Sequence, residues 1–74
     1  MDNEFKGIKA VNTVVVRQTG VTLSINDRVV REKDDIEQSG VIISIEESKY
    51  GVDVRVLFDS GEELWVNGDE LESE

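Results

Sequence analysis

The sequence predicts an all-β fold, a small barrel of five to six short strands with an extra N-terminal hairpin and one short closing helical turn. Three observations predict it. Val52, Val54, Val56 and Phe58 recur at the strand period of two. Asp59-Ser60-Gly61 then offers a turn, with a side chain able to cap it and a glycine able to take positive φ, leading into Glu62-Glu63-Leu64-Trp65-Val66. Gly40-Val41-Ile42-Ile43-Ser44-Ile45-Glu46 forms a third alternating run immediately upstream. Short strands with a single buried face favour a closed or nearly closed barrel, because closure removes exposed edges.

The chain divides into a flexible N-terminal segment at 1–9, one barrel domain at 10–71 and an acidic tail at 72–74. Residues 1–9 are polar and aperiodic, although Phe5 and Ile8 offer apolar contacts to the barrel. Val11, Thr13, Val14, Val15 and Val16 have high strand propensity. Thr19-Gly20 turns the chain, and Val21-Thr22-Leu23-Ser24-Ile25 alternates again, so the two runs form a hairpin. Asn26-Asp27 punctuates before a short strand, Arg28-Val29-Val30-Arg31.

Glu32 to Ser39 holds one apolar residue, Ile36, among charges, and reads as an excursion loop pinned by Ile36 rather than as a short helix. Gly40 ends it. Glu46 to Gly51 is the next connection, with Lys49-Tyr50-Gly51 at its tip. In the last hairpin Asp53, Arg55 and Leu57 oppose the apolar face of their strand, and Trp65 and Glu63 oppose Leu64 and Val66. Asn67-Gly68-Asp69-Glu70-Leu71 fits a single helical turn that docks Leu71 over the barrel end, and Glu72-Ser73-Glu74 is a solvated tail.

Seventy-four residues make one domain, and a chain this short buries only about 60 % of its unfolded surface. Neither cysteine nor histidine occurs, so there is no disulfide, no thiolate zinc site and no imidazole base. No apolar run approaches the roughly 18 residues that span a bilayer, and the acidic Met1-Asp2-Asn3-Glu4 lacks the apolar core of a signal peptide. A soluble, cytoplasmic protein is expected. Seventeen acidic against eight basic residues give a net charge of −9, which disfavours direct contact with DNA or RNA unless Arg17, Arg28, Arg31 and Arg55 converge on one face. The same charge favours a basic protein partner, or simply maintains solubility.

Residues 27–71 carry short motifs of a known kind. Asp27-Arg28-Val29 resembles the Gly-Asp-x-Val start of the first strand in SH3-like barrels of the Tudor and KOW kind, with Asn26 in place of the usual glycine. Gly40-Val41-Ile42 is similar to their second strand, and Val54-Arg55-Val56-Leu57-Phe58-Asp59-Ser60-Gly61 to the third strand and turn of Tudor domains. Trp65 and Asp69-Glu70-Leu71 resemble the fourth strand and closing turn. The resemblance implies a Tudor-like barrel and a binding role. Many Tudor domains hold methylated lysine or arginine in a cage of aromatic rings. Only Phe58 and Trp65 match cage-related positions; Tyr50 is a candidate third wall, with Asp59 or Glu63 as the anionic member, and Val29 and Val30 stand where a first-strand aromatic belongs.

Catalytic chemistry finds no support. The acid pairs Asp34-Asp35, Glu46-Glu47 and Glu62-Glu63 are adjacent, and neighbours on a strand point to opposite faces. The serines lack a histidine or cysteine partner, and no phosphate loop, dinucleotide glycine motif or calcium loop is present. Asp34, Asp35 and Glu37 offer at most loose calcium or magnesium contacts, better read as a solvated charge run. The chain reads as a non-enzymatic protein-interaction module without cofactors. Its candidate binding residues are Trp65, Tyr50, Leu57, Phe58, Asp53, Asp59 and Glu63, presented to a partner protein with a basic surface or segment. Two other roles fit the same sequence: an acidic inhibitor or nucleic-acid mimic acting on a DNA- or RNA-binding protein, and a small structural component of a larger assembly. The crowding of Val11 to Val16 motivates the last, since it exceeds what one barrel face needs.

Overall fold

The computed structural model describes residues 7–74, all of them strand, turn or connection apart from short 3₁₀ turns. Eight strands follow in order: β1 (Lys9–Ala10), β2 (Thr13–Val15), β3 (Thr22–Ser24), β4 (Arg28–Lys33), β5 (Ile36–Ser48), β6 (Gly51–Phe58), β7 (Glu63–Asn67) and β8 (Leu71–Ser73). The main sheet runs β7-β6-β5-β4-β8 with every pair antiparallel, and β1 adds to the far end of β5. β2 and β3 form a separate two-stranded hairpin, Val14 opposite Leu23.

The all-β expectation holds. The closed barrel does not, because among the described residues no ladder joins the β2–β3 hairpin to the main sheet. Single bonds span the gap instead, from the Val11 amide to the Ile45 carbonyl, from Asn26 to Ile42 and from Ile42 to Asp27. Asn26 takes φ 77°, a conformation asparagine reaches more readily than most residues, and so turns the chain from the hairpin into β4.

The core lies between the two sheets. Val14, Val16 and Leu23 from the hairpin meet Val29, Ile42, Ile45, Val54, Val56, Phe58, Val66 and Leu71, and no polar side chain is buried among the described residues. The alternation in β6 is realised as read, with Val54, Val56 and Phe58 inward. Val14 and Val16 also face inward while Val15 is exposed, so part of the valine crowding is used within this core. Trimming any of the larger residues would remove about 2–5 kcal/mol, a large share of the stability of a domain this small.

β5 is thirteen residues long because it serves three neighbours. A register shift between Ile42 and Ser44 marks a bulge that lets one strand turn from β4 toward β1. Gly40 allows the crossing: a Cβ there would stand 2.6 Å from the Leu57 carbonyl oxygen and 2.8 Å from the Phe58 Cα.

Three local expectations are corrected. Glu32 to Ser39 is not an excursion loop but the tip of the β4–β5 hairpin, in register from Arg28 opposite Val41 to Lys33 opposite Ile36. Asp34 and Asp35 make its turn with φ of 55° and 67°, the left-handed pair that a two-residue hairpin turn demands. Ile36 pins nothing and is 63 % exposed. Glu72-Ser73 is not free tail, since Leu71–Ser73 forms β8 against Val29–Arg31. Lys9 belongs to β1 rather than to a flexible segment, Ile8 is exposed, and Phe5 lies outside the described residues. The closing turn appears where expected, as a 3₁₀ turn at Gly68–Glu70 that delivers Leu71 fully buried.

Candidate binding face on the outer sheet

The strand period sends Asp53, Arg55 and Leu57 of β6, and Glu63, Trp65 and Asn67 of β7, to the face opposite the core. Their ladder sets Arg55 opposite Trp65, Leu57 opposite Glu63 and Asp53 opposite Asn67. On β5, Val41 lies opposite Leu57, and on β4 Val30 lies one diagonal step from Val41. Trp65, Leu57, Val41 and Val30 therefore form an oblique apolar stripe across four strands. Trp65 is 47 % exposed and Leu57 39 %, and the two valines are half-buried.

Cations on and beside this face are already engaged. The Arg55 guanidinium carbon stands 6.0 Å from the Trp65 ring centroid, at the outer range of a cation–π contact, while its Nη2 pairs with Glu63. Arg28 donates from Nη1 and Nη2 to the Asp59 carboxylate at 2.9 and 2.8 Å, and from Nε to Glu74 at 2.8 Å. Arg31 pairs with Glu70 at 3.0 Å. Arg28 is driven more strongly protonated by Asp59 and then Glu74, while the hydrogen bonds from Arg28 hold both carboxyls below their usual range. Three of the four arginines that would have to converge for a nucleic-acid surface thus have their charge met by a carboxylate. Asp53, opposite Asn67 and Glu46 on the outer face, is exposed.

The expected binding residues separate into groups. Trp65, Leu57, Glu63 and Asp53 share the outer face. Asp59 sits at the β6–β7 turn beside it, occupied by Arg28. Phe58 does not belong to the site: it is 2 % exposed and faces the core, because it lies one residue out of phase with Leu57. Tyr50 stands apart at the β5–β6 turn, 87 % exposed, with Lys49 Nζ 5.3 Å from its ring centroid. It borders an open hollow of about 350 Å³ with Val15, Arg17 and Val52. Phe58, Trp65 and Tyr50 consequently do not converge into an aromatic cage. Sequence reading missed Arg55, Val41 and Val30; the strand period signals the first, but the neighbours of Leu57 depend on the β4–β5 register.

No helix among the described residues is long and apolar enough to cross a membrane, and among them no three acidic side chains gather into a metal-binding group. The chain matches no family model, no curated protein and no solved structure.

Proposed function

We propose that this domain is a non-enzymatic protein-interaction module, SH3-like in build, that presents Trp65 and an acidic surface to a partner bearing a basic surface or segment. The observation that carries this is Trp65 itself, a half-exposed tryptophan held on the solvent face of a rigid ladder next to exposed Leu57. Tryptophan is the residue type most often found at energetic centres of protein interfaces, and its two rotatable bonds limit the entropy lost on contact. The run β4-β5-β6-β7, the 3₁₀ turn and β8 support the SH3-like reading through strand order alone. A net charge of −9 with Arg28, Arg31 and Arg55 tied to carboxylates supports the sign chosen for the partner.

The test is affinity capture on the immobilised domain and on Trp65→Ala, washed at low and at high salt. The expected result is a basic protein retained by the parent domain, released as salt rises and absent from Trp65→Ala, whose circular dichroism stays that of a folded β protein. Loss of the folded spectrum in Trp65→Ala would assign the ring to the core and contradict the reading.

A further inference from the structure

We infer that the outer edge of β7, Glu63–Asn67, receives an extended basic segment of the partner as an added strand. The inference rests on the interaction role proposed above and specifies how the partner is held.

Among the described residues, β7 ends the main sheet, pairs only with β6 and is the longest strand paired on one side alone. The Phe58 amide bonds the Glu62 carbonyl at 2.8 Å and so fixes the phase of the ladder. Bonded and non-bonded pairs alternate in antiparallel strands, so Leu64 and Val66 turn their backbone groups toward β6. Glu63, Trp65 and Asn67 turn theirs outward. Glu63 and Trp65 make no backbone bond with another described residue outside the ladder, while the Asn67 carbonyl caps the 3₁₀ turn at Gly68–Glu70, which leaves Asn67 its N–H alone.

Exposed edges are normally guarded by lysine, proline, a bulge or a strong twist. This one has none of the first three. Glu62 to Leu71 contains no Lys, Arg or Pro, and the β6–β7 register runs unbroken from Leu57–Glu63 to Asp53–Asn67. Its guards are carboxylates: Glu62 before the middle of the strand and Asp69 beyond it, beside Glu63 and Glu70, which pair with Arg55 and Arg31. Negative guards repel an acidic strand, including that of a second copy carrying −9, and attract a lysine- or arginine-bearing one. The edge is therefore selective by sign. Five residues span about 17 Å and offer outward groups on three of them, enough to set the register of a short segment. The incoming strand would lie beside Trp65, whose ring on the outer face becomes its cross-strand neighbour.

The test titrates the full isotope-labelled chain at low salt with a synthetic octapeptide of alternating Lys and Val, and with the same peptide N-methylated at every residue. The amide signals of Glu63, Trp65 and Asn67 are followed, and the titration is repeated with Asn67→Pro. Asn67 already has φ −70°, which proline accepts, so the substitution removes one outward N–H with little strain. The expected result is a shift of those three amides by the unmodified peptide, binding at least tenfold weaker for the methylated one, and several-fold weaker binding to Asn67→Pro. Equal binding of both peptides would overturn strand addition while leaving a side-chain contact through Trp65 intact. Binding of neither peptide would overturn it too. Concentration-dependent shifts of the same amides in the protein alone would assign the edge to a second copy and also overturn it. Loss of the captured partner by Trp65→Ala, but not by Asn67→Pro, would keep the interaction role and remove the edge from it.

Discussion

Arg28 grips Asp59 with both terminal nitrogens, at 2.9 and 2.8 Å, and thereby ties the start of β4 to the turn between β6 and β7. Its Nε reaches Glu74 at 2.8 Å, so a single guanidinium joins three segments distant in sequence. Planar two-point geometry of this kind is what arginine provides and lysine does not. All three groups are substantially solvent-exposed, so the cluster adjusts stability rather than determining it.

Its pH dependence follows from the direction of the shifts. Asp59 and Glu74 are held below their usual range by the Arg28 hydrogen bonds. A depressed carboxyl adds stability that is fully present above the ordinary value near ~4 and is lost as pH falls through the folded value. The thermal midpoint of the parent domain should therefore fall more steeply below pH 4 than that of Asp59→Asn. The two curves should converge at the acid end, as differential scanning calorimetry between pH 7 and 2 would show.

Gly40 should not tolerate a methyl group. The atoms met at 2.6 and 2.8 Å are backbone of β6, which cannot move aside without disturbing the ladder. Gly40→Ala is expected to cost about 1–3 kcal/mol, with the lowered urea midpoint as the readout.

Leu57 and Phe58 are adjacent and should behave as opposites. Phe58→Ala empties the centre of the core and should cost about 3–5 kcal/mol, near the limit of what 74 residues can lose. Leu57→Ala, on the outer face, should change stability by less than about 0.5 kcal/mol while weakening partner binding. Urea unfolding together with a binding titration on both variants separates the two roles.

The β4–β5 turn is open to improvement. Asp34 and Asp35 hold left-handed conformations that Asn-Gly adopts at lower cost. The double change Asp34→Asn with Asp35→Gly is expected to raise stability by about 0.5–1 kcal/mol, read from the same urea transition.

Much of the fold was legible where one rule acted alone. Val54, Val56 and Phe58 against Leu57, and Leu64 and Val66 against Trp65, needed only the period of two, and that period also placed Trp65 outside the core. The β4–β5 hairpin was hidden because Asp34-Asp35 is a poor match to the usual turn pairs, and because charges on both faces of a projecting arm erase the alternation. β8 was hidden because its pairing with Val29–Arg31 is made across forty or more residues of chain. The Arg28 cluster is non-local for the same reason. In the candidate site, a matching motif groups Phe58 with Leu57 and Trp65, although the strand period sends it to the other side. Residue type groups Tyr50 with them, although it lies at the β5–β6 tip, five residues along the chain from Arg55, about 17 Å.

Trp65 is the sole tryptophan, so its fluorescence reports directly on the face at issue. Acrylamide quenching of the free domain and of the domain saturated with its captured partner is the decisive comparison. A ring on the contact face is readily quenched when free and strongly protected when bound. Quenching that stays the same on saturation would place the partner elsewhere and contradict the role assigned to Trp65.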